Sequence, residues 1–234
     1  SLSTAADYFF VWAMPEGGER LDSDLLNVLV PARADGVHIE QTWDSVAMRA
    51  TASHSVRFEG VFVPEDFVIG GPGGAVRHRL TDVFMPGYAA LYVGLAEAAL
   101  ERVVTYARER RFEGTGTTVA DDAVVQHHVG EMSARIAAAR ELMRAAARMA
   151  VTGRGQATAL VLNQAKYMAC ETAMRIADLA LQVMGGRALY LREELQRVFR
   201  DAHVGAVMPP SNDHALETIG KLELGFDVEG GFLG

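Results

Sequence analysis

Hydrophobic positions follow two different periods along this chain, and the change falls about a third of the way in. Up to about residue 70, short runs rich in aromatic and β-branched residues are separated by turn signals: YFFVWAM, PEGGERLDSD, LLNVLVPA, RADG, VHIEQTW and SVRFEGVFVP. Val56, Phe58, Val61 and Val63 frame Glu59-Gly60, and Pro15, Gly17, Gly18 and Asp35-Gly36 supply turns, so this part predicts an antiparallel β unit. From Thr81 the period becomes 3.6. A first helix carries Leu91, Leu95, Ala98, Ala99 and Val103 toward a core. A second carries Val125, Val129, Met132, Ile136, Ala139, Met143, Ala146 and Ala150, and a third, from about Thr158, carries Val161, Ala165, Met168, Thr172, Ile176, Leu179 and Val183. Two further helices begin near Leu191 and Asn212, joined by a loop through Pro209-Pro210. The expected architecture is α+β: an antiparallel, barrel-like β domain over residues 1–72, incomplete at its N-terminus, followed by an up-down four-helix bundle over 76–234.

Composition narrows the classes without changing that picture. The chain has 234 residues, 50% hydrophobic and 22% charged, with a net charge of −8 and no basic stripe, which argues against a nucleic-acid surface. A single cysteine, Cys170, allows no internal disulfide and no cysteine zinc site, and suits a reducing compartment. No run approaches the roughly 18 uninterrupted apolar residues of a membrane span, and no basic-then-apolar leader opens the chain, so a cytoplasmic protein is expected. The chain opens on Ser1 directly before a strand, an abrupt start that suggests missing upstream sequence.

Local motifs offer little chemistry of their own. His127 and His128 are adjacent and point about 100° apart on a helix, which is not a one-face metal pair. The run Gly70-Gly71-Pro72-Gly73-Gly74 lacks the Lys-Ser/Thr of a phosphate loop and reads as a linker. Arg108, Arg110 and Arg111 either cap a helix end or project toward a phosphate. The loop Pro209-Pro210-Ser211-Asn212-Asp213 either caps the next helix or meets an anion or cofactor.

Taken in order, several stretches resemble the acyl-CoA dehydrogenase superfamily. AADYFFVWA resembles the strand that follows that family's flavin-contacting motif, and WDSVAMRATASHSVRFEGVFVPEDFVI resembles its W-x-x-x-G-M-R-A-T segment, with Ala47 in the usual glycine place. VGLAEAALERVVTYARERRFEG resembles the first bundle helix ending in R-x-x-F-G, with Phe112 one position early, and QVMGG followed by RDAHV resembles the Q-x-x-G-G and R-D-A motifs. The resemblance implies FAD as cofactor. It implies that Arg110, Phe112, Gln182, Gly185 and Gly186 approach the FAD of a neighbouring subunit in a homodimer or homotetramer, and that Ser211, Asn212 and Asp213 lie at the flavin's edge.

It also implies a departure. Family dehydrogenases carry a glutamate base before Gly-Thr in this loop, where this chain has Met208-Pro209-Pro210-Ser211, and the alternative glutamate position falls on Phe84-Met85-Pro86. Proline takes no proton, which leaves Asp213 and His214 as the nearest titratable groups. Three functions stay open: α,β-oxidation of an acyl-CoA thioester, a two-component flavin-dependent monooxygenase, and a non-catalytic subunit that completes a partner's FAD site.

Overall fold

The computed structural model describes residues 1–228, with the side chains of Leu80 and Thr81 left aside. The last six positions of the expected bundle domain, 229–234, lie outside the described residues. Contacts divide the described chain into two compact units, one ending at Thr81 and one running from Asp82 to Val228.

The first unit holds β1 (Tyr8–Ala13), β2 (Leu26–Pro31), β3 (Val37–Glu40), β4 (Ser55–Phe58), β5 (Val68–Ile69) and the single-turn helix α1 (Gly74–Arg77). They form two antiparallel sheets, β1-β2-β5 and β3-β4. The register pairs Phe9 with Val30 and Val11 with Val28, so one face of β1 and β2 is aliphatic and aromatic throughout. Phe9 meets Phe58 edge to face at 6.1 Å, which ties the sheets together. Trp43 donates its indole N–H to the Met48 carbonyl oxygen (3.1 Å), and Met48 and Ala52 adopt left-handed backbone around the short turn Arg49–Thr51. The glycine run expected to link two domains instead packs with this unit. Gly73 N–H donates to the Leu25 carbonyl (2.9 Å), and a Cβ at Gly73 would stand 2.2 Å from the Asp22 carbonyl oxygen.

The second unit is the bundle: α2 (Leu80–Glu109, which starts at the unit's edge), α3 (Ala123–Thr152), α4 (Gly155–Met184), α5 (Glu194–Val204) and α6 (Asn212–Glu223). Asp122 starts α3 by accepting from the amides of Val124 (2.7 Å) and Val125 (3.3 Å). Across the bundle, Arg140 on α3 donates to Glu97 on α2 (2.9 Å), and Arg175 on α4 donates to Glu131 on α3 (2.9 Å).

α4 is the central helix. Its alanines 165, 169, 173, 177 and 180 are buried and let the neighbouring backbones approach closely. α3 buries the expected Met132, Ile136, Ala139 and Ala146. α2 departs from expectation: Leu91 is exposed, and the core face is Tyr92, Val93, Ala96, Ala99 and Val103. Its sequence is apolar on several sides, so periodicity sets its register weakly, and the large Tyr92 takes the interior position. By length and composition α2 is also apolar enough to cross a bilayer, contrary to expectation, although its inner face belongs to the bundle core.

Candidate functional site

Two places in the helical unit gather the sequence-nominated residues. The first is a cavity of about 260 Å³ at the C-terminal end of α2. Helical spacing puts Arg102, Thr105, Tyr106 and Glu109 on one face of α2, and Arg110 follows directly. Facing them are Met184, which closes α4, Arg187 in the 3₁₀ turn Gly185–Leu189, and Glu193 just before α5. The Glu193 side chain is only 13% exposed and lies between two guanidiniums, 3.4 Å from Arg102 and 3.6 Å from Arg187. Glu193 thus holds both arginines at the cavity wall. Among the described residues the exposed Arg110 guanidinium has no ion-pair partner, so its charge is available to a ligand.

The electrostatics of this cavity depend on side chains. α2 and α4 both end here, and the carbonyl ends of helices carry partial negative charge. The Gly185 N–H is used within its own helix end, donating to the Leu181 carbonyl. Attraction for an anion therefore rests on Arg102, Arg110 and Arg187 rather than on glycine amides. The glycines contribute open space: Gly185 sits at φ +65°, and neither it nor Gly186 has any atom within 4 Å of where a Cβ would stand. Gln182 lies exposed on the last turn of α4, and Phe112 is 46% exposed in the turn after Arg110. A guanidinium-lined cavity beside open glycine backbone fits the phosphate portion of a dinucleotide.

The second place is the loop between α5 and α6. Ser211 is an ordinary N-cap, its Oγ accepting from the His214 amide at 3.2 Å. Asn212, expected at a cofactor's edge, is turned into the bundle and only 7% exposed. Its Nδ2 donates to Glu171 Oε1 (2.8 Å), and its Oδ1 accepts from Lys166 Nζ (2.9 Å). Asp213 and His214 are exposed on the first turn of α6, while Pro209 is exposed and Pro210 buried, joined by a cis peptide. The alternative glutamate position on α2 is likewise without a carboxylate, with Phe84 42% exposed and Met85 buried. The structure places no carboxylate on the loop before α6.

Sequence reasoning missed three residues here: Glu193, the buried Tyr92 and the buried Lys166. Only Lys166 left a visible signal, as a lysine in helical register with the apolar Leu162, Ala169 and Ala173. The His127 and His128 rings meet edge-on with centroids 5.9 Å apart, and among the described residues no cluster of three metal-ligating side chains occurs.

The fold has known counterparts. Residues 82–222, more than half of the chain, match the C-terminal domain of acyl-CoA dehydrogenases. The chain belongs to the acyl-CoA dehydrogenase family. It is 29% identical over 195 residues to the mitochondrial short/branched chain specific acyl-CoA dehydrogenase of Bos taurus, covering 82% of this chain and 44% of that one. The structure resembles butyryl-CoA dehydrogenase of Megasphaera elsdenii, with 25% identity and a TM-score of 0.81 over 94% of this chain and 57% of that one. It also resembles the dibenzothiophene monooxygenase of Paenibacillus sp. A11-2, with 28% identity and a TM-score of 0.82 over 95% and 62%. The latter protein has been solved with FMN bound. The chain thus spans about half the length of the curated relatives it matches.

Proposed function

We propose that this chain forms part of an FAD-dependent oxidoreductase of the acyl-CoA dehydrogenase type, acting on a CH–CH bond of an acyl-CoA thioester. The observation that carries the reading is the cavity in which Arg102 and Arg187, held by Glu193, stand with Arg110, which has no ion-pair partner among the described residues. In this role Arg110 binds phosphate charge, Arg102 and Arg187 set the field around it, and Phe112 lends an exposed aromatic edge to the cofactor. Bound flavin would supply the two-electron acceptor.

The face around the cavity supports sharing of that cofactor between subunits of a homodimer or homotetramer. Leu189, Tyr190 and Leu191 are exposed at 58%, 58% and 85%, an apolar surface suited to cover by a second copy. A cytoplasmic setting agrees with the single buried thiol.

A second reading, a flavin-dependent monooxygenase, is favoured by one observation: Pro209 and Pro210 stand where the family's base is expected, so the loop offers no group to remove an α-proton. Two measurements separate these. Anaerobic addition of a panel of acyl-CoAs to flavin-loaded protein bleaches the flavin's visible absorbance if the protein is a dehydrogenase. Oxygen uptake by the reduced protein, coupled to a hydroxylated product and with no acyl-CoA bleaching, rejects that choice in favour of the monooxygenase. Failure to bind either FAD or FMN rejects both.

A further inference from the structure

The polar cluster beneath the Pro-Pro loop has no part in the cavity described above, yet its Lys166 and Asn212 are both buried in the bundle. Lys166 sits in the middle of α4 with none of its surface exposed. Its ε-amino group donates to the Gly205 carbonyl oxygen (2.8 Å), the residue that ends α5, and to Asn212 Oδ1 (2.9 Å), the residue that begins α6. One side chain thus joins the two ends of the eight-residue span 205–212 that contains Pro209. Asn212 passes the connection on to Glu171 through its Nδ2, and its own amide closes the loop by donating to the Ala206 carbonyl (2.8 Å). From α2, the Tyr92 hydroxyl donates to Met208 Sδ at 3.6 Å. The loop's tip remains outside: Val207 is 72% exposed and Pro209 is exposed as well.

A buried amine on an apolar helix is costly unless its hydrogen bonds are made, and burial draws the Lys166 pKa below its ordinary value. A core role alone does not explain a lysine, whereas fixing a loop by its two ends requires a long side chain with several donors.

We propose that Lys166 is a positioning residue: through Gly205 and Asn212 it holds the α5–α6 loop in one conformation at the edge of the substrate and flavin site. The proposal rests on the flavoprotein reading above for what the loop borders, but not for the clamp itself. Its first test needs no flavin. In the full protein, Lys166→Met keeps an unbranched side chain one atom shorter and removes the donors, and hydrogen exchange is followed in peptides covering residues 205–212. Loss of two buried hydrogen bonds predicts exchange in that peptide at least roughly tenfold faster, with α3 unchanged. Asn212→Ala, which removes the loop-side acceptor together with the donor to Glu171, should give a comparable local increase, and the double variant should add little to the larger of the two single effects.

A folded Lys166→Met protein with unchanged loop exchange overturns the clamp, as does an increase spread evenly over α2, α3 and α4. Should Lys166→Met fail to fold, Asn212→Ala decides by the same criterion. In flavin-loaded protein the freed loop should alter the visible circular dichroism of the bound flavin. An unchanged spectrum over a mobilised loop overturns the assignment of the loop to that site.

Discussion

Gly205→Ala is a substitution whose sign the packing of the α5–α6 loop determines. Gly205 lies at φ −55° and ψ −34°, a conformation that any residue adopts, so backbone strain plays no part. With free space around it, an added methyl would restrict the unfolded chain and stabilise the protein by about 0.4–1 kcal/mol. The space is not free. A Cβ here would stand 2.9 Å from Cys170 Sγ and 2.9 Å from Tyr92 Cε1 and Cζ. Cys170 and the Tyr92 ring are fully buried, and neither is the loose end of a flexible chain. Forcing a methyl into such a core costs about 1–3 kcal/mol, which exceeds the entropic gain and leaves a net loss of roughly 1–2 kcal/mol. Urea unfolding followed by helical circular dichroism reads this directly. Adding Cys170→Ala to the Gly205→Ala protein removes one of the clashing atoms and should recover part of the loss, with a coupling of at least about 0.5 kcal/mol. A Gly205→Ala protein as stable as the parent, or more stable, would refute the packing described for this loop.

Three further outcomes are expected. The Arg175 and Arg135 guanidiniums hold the Glu131 carboxyl down to about 2, so its share of stability is fully present above the ordinary carboxylate pKa of about 4.3 and disappears as the pH falls towards 2. An NMR titration in which Arg175→Met leaves the Glu131 midpoint unmoved would contradict this. Burial pushes the Cys170 thiol up to about 11, so a thiol reagent at pH 8 should leave it unmodified in the folded protein and label it stoichiometrically in urea. Asp122→Ala should cost about 1 kcal/mol by freeing two amides at the start of α3, read as a lower urea midpoint.

The long periods of this chain were legible because burial there is one-sided. α3 turns the expected Met132, Ile136, Ala139 and Ala146 inward. α2 was less legible since its apolar residues surround the helix, so only packing could select Tyr92 over Leu91. At the site, the sequence nominated Arg110 and the turn at Gly185-Gly186, whose neighbours Met184 and Arg187 line the same cavity as Arg110. It could not nominate Glu193, since nothing local distinguishes a carboxylate between two arginines from any exposed glutamate. Asn212 shows the opposite difficulty: a polar residue beside two prolines reads as exposed, and only tertiary contacts with Lys166 and Glu171 reveal that it is buried.

The most direct test of the central claim is the affinity of the purified protein for FAD and FMN, with and without Arg110→Met. The account predicts that FAD, with its extra phosphate and adenosine, binds more tightly than FMN. It further predicts that loss of a charge-assisted contact at Arg110 weakens FAD by roughly tenfold to a hundredfold while leaving FMN little changed. Equal affinities for both flavins that are indifferent to Arg110→Met would contradict the assignment of the arginine-lined cavity to a dinucleotide.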